Sequence, residues 1–151
     1  MTTSGMVHES AMAGTRATAG GRRGLRIGLW VAQWLLGAAF GLAGLAHATQ
    51  PIAEMAKQAP WTGALPAALV RFIGVMEICG ALGLLLPSLT RVRPRLTVWA
   101  ARGLMTVMVL ACIVHLTRGE PQVLPVNFVL GGLAAFIAWG RFRAAPIAPR
   151  A

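Results

Sequence analysis

The sequence predicts an all-α fold, a four-helix transmembrane bundle with both termini cytoplasmic. Three observations carry that expectation. Four apolar stretches, Ile27–Ala46, Leu65–Leu86, Leu96–Leu116 and Val123–Trp139, are each about long enough to cross a bilayer, since ~20 apolar residues span a hydrocarbon core of ~30 Å. Charged residues make up only 12% of the chain, about half the share of a soluble domain. The basic residues also fall almost entirely on one side of the spans. Arg16, Arg22, Arg23 and Arg26 precede the first, Arg91, Arg93 and Arg95 separate the second and third, and Arg141, Arg143 and Arg150 follow the fourth. Only Lys57 and Arg118 lie in the two loops opposite. This is the bias that fixes orientation in membrane proteins. It also gives the net charge of +10 a meaning other than nucleic-acid binding.

In chain order, residues 1–24 are rich in Thr, Ser, Gly and Ala and show no period, which predicts a disordered cytoplasmic tail. A transmembrane domain follows over 25–143 and a short cytoplasmic tail over 144–151. Ala46-His47-Ala48 resembles a leader cleavage site, but the apolar run before it is about 20 residues, longer than the 7–15 of a leader. The first helix is therefore expected to be retained. Gly37, Gly41 and Gly44 form a small-residue stripe on it that lets another helix come close. In the first loop, Ile52–Lys57 suits a short interfacial helix with Glu54 and Lys57 one turn apart. Trp61 is expected at headgroup level. The second span is expected to end at Pro87. Gly119 and Pro121 punctuate a tight turn before the fourth span, and Pro125 sits in that span's first turn. The short loops require antiparallel neighbours. Cys79 and Cys112 differ in depth by roughly 15 Å, too far for a disulfide.

Charged and amide groups within the spans need a reason, since insertion of one costs at least ~2.5–3.5 kcal/mol. Counted from the span ends, Gln33, Glu77 and Arg102 fall in one layer just inward of the midplane, with Glu77 about 18 Å below the outer boundary. The simplest expectation is a Glu77–Arg102 ion pair with Gln33 beside it. His47, Arg71, His115 and Asn127 form a second layer near the outer surface, where Arg71 can instead reach headgroups. Both layers serve to lock helix register. Alternatively, Glu77 with His47 or His115 exchanges protons with a lipophilic ligand such as a quinone. No Ser–His–Asp set, phosphate loop or cluster of metal ligands marks a catalytic centre, and nothing beyond the two histidines marks a haem.

The run from Arg71 through Glu77 and Gly80 to Pro87 resembles the signature of the DoxX and DoxX-like families, small four-helix bacterial membrane proteins. Phe40 with Gly44, Pro60-Trp61, His115 through Glu120, Asn127 and Gly140-Arg141 are similar too, so the resemblance covers about residues 28–142. Where many relatives have lysine after the first-span glycine, this chain has His47. The resemblance implies a multi-pass protein of the bacterial inner membrane, sometimes associated with quinol-oxidase or other redox assemblies. On that footing three functions are open. One is an accessory, quinone-associated subunit of a redox assembly, with membrane or peripheral redox subunits as partners. The others are a binding or transport module for a small lipophilic molecule, and an assembly factor without chemistry.

Overall fold

The computed structural model describes residues 3–150, and the side chains of residues 21–150. The tail expected over 1–24 lies largely outside those side chains. The elements are α1 (Thr3–Thr49), α2 (Ile52–Gln58), α3 (Trp61–Ala64), α4 (Ala67–Thr90), α5 (Arg95–Thr117) and α6 (Leu124–Trp139). A single 3-10 turn, Pro121–Val123, leads into α6, and a π turn, Gly140–Ala144, leads out of it. Four segments are long and apolar enough to cross a membrane: Gly21–Thr49, Ala67–Thr90, Arg95–Thr117 and Pro121–Ala144. The helix α1 packs on α4, α4 on α5, α5 on α6 and α6 back on α1. The bundle thus closes as a ring of antiparallel neighbours. Arg23 and Arg141 lie toward one end, the termini end; α2, α3 and the α5–α6 turn lie at the other, the loop end.

Each junction has a local cause. Pro66 precedes α4 and holds Leu65 extended, as a residue before proline must be. At the end of α5, Gly119 adopts φ 69°. Its N–H bonds Leu116 O at 3.1 Å and that of Glu120 bonds His115 O at 2.9 Å. This is a Schellman turn, which needs a residue tolerant of the left-handed region at that place. The helix α4 does not end at Pro87 as the sequence suggested, but runs to Thr90. Proline removes only the bond to the carbonyl four residues back. The final turn is then held from outside, because Ser88 is bonded to Gln33 and Thr97.

The core between the helices includes Leu36, Phe40, Ala81, Leu84, Leu104 and Met108. The outer faces carry large apolar side chains, with Leu42, Phe128 and Trp99 at 72%, 68% and 64% exposure. In water such a surface would aggregate; against lipid it is the solvent-facing side. The expected glycine stripe of α1 does face a neighbour. A methyl group at Gly37 would meet Leu85, one at Gly41 would meet Ala81, and one at Gly44 would lie 2.7 Å from Gly74 O. On the far side of α4, Gly80 faces Leu104 and Gly83 faces Ala100. Small residues therefore bring α4 close to both its neighbours.

The close approach at Gly74 sets a level. Methyl groups there would meet Ala48 N and His47 C, so the end of α1 lies opposite Gly74, seven residues into α4. That places it about 10 Å below the start of α4. The segment α2–α3 fills the step, with Met55 and Thr62 buried. The expected short helix with its Glu54–Lys57 contact is present, Nζ donating to the carboxylate at 2.8 Å.

Candidate functional site

The expected Glu77–Arg102 pair does not form. Side chains on a helix lean toward its N-terminus. The N-terminus of α4 is at the loop end and that of α5 at the termini end, so these two side chains lean apart. Arg102 is exposed, its guanidinium 5.1 Å from the Trp99 ring centroid and 5.5 Å from that of Phe142. Glu77 leans toward the sunken end of α1, where His47 Nδ1 donates to its Oε2 at 2.7 Å. Both side chains are largely buried, with 6% exposure for Glu77 and 15% for His47.

Arg71 is tied into the bundle. Its Nη1 donates to the His47 carbonyl at 2.7 Å, capping the negative end of the α1 dipole. This reverses the order of importance that depth alone would assign to the two arginines. In detergent, Arg71→Leu should lower stability by about 2 kcal/mol, the range of a charged hydrogen bond. Arg102→Leu should cost no more than about 1 kcal/mol, the range of an exposed cation–π contact. Thermal melts of the two variants compare them directly; a larger loss at Arg102 would contradict the capping role.

A second histidine–carboxylate pair stands across the loop end. His115 Nδ1 donates to Glu120 Oε2 at 2.8 Å, and Arg118 donates to Glu120 Oε1 from Nη2 at 2.8 Å. The Schellman turn brings the carboxylate back over its own helix. Glu120 lies outside the spans, and its pKa is held below the ordinary carboxylate value, first by the Arg118 hydrogen bond and then by that of His115. A lowered folded-state pKa makes this contribution whole above the ordinary carboxylate range, and it is lost as pH falls through the lowered value. Taking the protein from about pH 6 to about pH 3 should therefore speed hydrogen exchange at Gly119 and Glu120 beyond the intrinsic rate change. Glu120→Gln should flatten that response.

Trp61 stands between the two pairs. Its ring meets His47 edge-on at 5.1 Å and His115 at 6.5 Å. The sunken end of α1 draws the start of α3 down into the bundle. Beneath Trp61 lies a cavity of about 580 Å³. Glu77, His47, His115 and Asn127 line its polar part, and its remaining wall is mostly apolar. Asn127 is buried, and its Nδ2 has no hydrogen-bond partner among the described residues. Leu69, Phe72 and Met76 of α4 and Leu110 and Ile113 of α5 line the cavity and are also exposed on the bundle's outer face. The cavity therefore opens sideways between α4 and α5, toward the place lipid occupies. Farther along, the contacts of Gly80 with Leu104 and of Gly83 with Ala100 hold the same helices together.

Gln33 belongs to neither histidine pair. It is fully buried at the termini end, donating from Nε2 to Leu84 O at 2.6 Å and Ser88 Oγ at 3.0 Å. Ser88 Oγ and Thr97 Oγ1 share a bond of 2.8 Å, and Arg141 Nε donates to Gln33 Oε1 at 2.6 Å. This network ties all four spans together. Of its members only Gln33 stood out in the sequence. Arg141 counts in the sequence as a boundary arginine and, with Gly140, as part of the family resemblance, while Ser88 and Thr97 are hydroxyls in no motif. Their signal was position: Ser88 lies two residues before the end of α4 and Thr97 two residues after the start of α5, on either side of the short loop between them. Among the described residues no group of three potential metal ligands comes together, and Cys79 and Cys112 are free.

Fold and site together define a multi-pass membrane protein, a four-span bundle with a laterally open apolar cavity and a polar end. The family model of the DoxX-like family matches residues 31–137, and the chain belongs to that family. That segment includes every side chain of the cavity. No curated protein and no solved structure matches the chain.

Proposed function

We propose that the protein binds a small lipophilic molecule, taken from the membrane through the gap between α4 and α5. The cavity carries this reading. Its apolar walls suit a hydrocarbon or aromatic body, and its few polar groups are gathered in one region, as in sites that orient a ligand. Each histidine gives Nδ1–H to a carboxylate, which fixes the tautomer and leaves Nε2 to accept a hydrogen bond or a proton. Asn127 adds an amide.

The test is extraction and mass spectrometry of the protein purified in mild detergent, beside an Ala111→Phe variant in which a ring fills the cavity. The native chain should retain a lipophile that the variant lacks, with both folded to the same extent by circular dichroism. Identical extracts from the two would remove the reading. A short-chain benzoquinone serves as the added probe, followed by quenching of tryptophan fluorescence.

The second reading, an accessory subunit of a membrane redox assembly, is favoured by the two histidine–carboxylate pairs. They suit a ligand that releases or takes up protons, as a quinone does when its redox state changes. Co-purifying redox subunits would support it. The arginine distribution favours placement in the bacterial inner membrane with both termini cytoplasmic, so that the cavity faces the outer leaflet. Fusing alkaline phosphatase to either terminus should then give no activity.

A further inference from the structure

Arg141 is only 5% exposed. Its Nε is bonded to Gln33, its Nη1 reaches the Ala145 carbonyl at 3.4 Å, and the Trp30 ring centroid lies 4.9 Å from its Cζ. Its Nη2 is buried with no hydrogen-bond partner among the described residues. Among the described side chains no counter-charge stands near it: Glu54, Glu77 and Glu120 belong to the loop-end half, and Glu9 and the C-terminal carboxylate lie outside those side chains. The nearest charge along α1 is instead another cation, Arg26, one helical turn before the Trp30 ring that Arg141 covers. Arg22, Arg26 and Trp30 follow one another at four-residue spacing and so lie along one stripe of α1, which ends at Arg141.

A buried guanidinium with an unused donor, a cation a turn away and no carboxylate among the described side chains is an arrangement that favours an anion. We infer that the phosphate of an anionic phospholipid fills this role, held between Arg26 and Arg141. The planar fork of arginine matches phosphate oxygens. Trp99 and Trp139 are exposed toward the same end of the bundle, as tryptophans at the headgroup level are, so phosphate groups of the leaflet lie at this height. Basic pockets between spans bind such headgroups. The site is at the opposite end of the bundle from the cavity and does not depend on the function proposed for it.

The full chain in a neutral detergent provides the test, at fixed ionic strength. Added phosphatidylglycerol should raise the melting temperature by several degrees and remain bound in native mass spectrometry, while phosphatidylcholine should do neither. Arg26→Gln should lose most of that shift while melting near the native temperature without lipid. Because Arg141→Gln also breaks the Gln33 contact, Arg26→Gln carries the comparison. Equal shifts from the two lipids, or an undiminished shift in Arg26→Gln, would overturn the assignment. So would inorganic phosphate reproducing the whole effect, which would make the ligand a soluble anion.

Discussion

Gly74→Ala should destabilise the bundle by about 2–3 kcal/mol, whereas Gly103→Ala should be neutral or stabilise it by up to ~1 kcal/mol. Both glycines lie inside helices, where alanine is the better helix former, so propensity alone predicts a gain at each. Gly103 has open space around it and should realise that gain. At Gly74 the added carbon would sit 2.6 Å from Ala48 N, 2.8 Å from Gly44 O and 2.9 Å from His47 C. All three are backbone atoms of α1, so no rotamer change relieves the clash and the two helices must separate. Separation would also draw His47 from Glu77 and the His47 carbonyl from Arg71. Melting in detergent, with tryptophan fluorescence to follow Trp61, should show the opposite signs. A stabilised Gly74→Ala variant would mean that the α1–α4 seam is looser than described.

Much of this architecture was legible because span length and arginine placement are one-dimensional signals. The four spans, the short α2 helix, the turn at Gly119 and the glycine stripe on α1 all follow from patterns in neighbouring residues. Glu77, His47, His115 and Asn127 were visible as polar groups in apolar runs. Which histidine meets Glu77 stays open in the sequence, and Arg102 is the first partner expected for it, because depth along each span takes every helix to begin at the same plane. The end of α1 is sunken by roughly two turns, which brings His47 level with Glu77 and Trp61 between the histidines. That step comes from the approach of Gly44 to Gly74, a contact between distant segments. The lean of side chains toward helix N-termini was, by contrast, available from the topology. It alone separates Glu77 from Arg102 on antiparallel helices. Gly140-Arg141 is marked by the family resemblance alone; that Arg141 is buried depends on the π turn at Gly140, which no pattern in neighbouring residues announces.

The His47–Glu77 pair should separate architecture from function. His47→Leu removes the partner of a carboxylate with 6% exposure, and breaking a buried pair in this way costs about 3–5 kcal/mol. Glu77→Leu is expected to cost less, about 1–3 kcal/mol, the penalty of one unmet hydrogen bond on an imidazole. The double variant, with leucine at both positions, should recover to within ~1 kcal/mol of the native chain, because an apolar replacement of a whole buried pair is often neutral. If the pair only locks the helices, the double variant should also keep whatever the cavity holds. If it orients a ligand, all three variants should lose the bound lipophile, the stable double variant included. Melting curves and extracted lipophiles from the same four preparations distinguish the two outcomes. Recovery of stability without recovery of ligand is the expected result, because a dry acid–imidazole contact at the wall of an otherwise oily cavity contributes little to stability that two leucines could not supply.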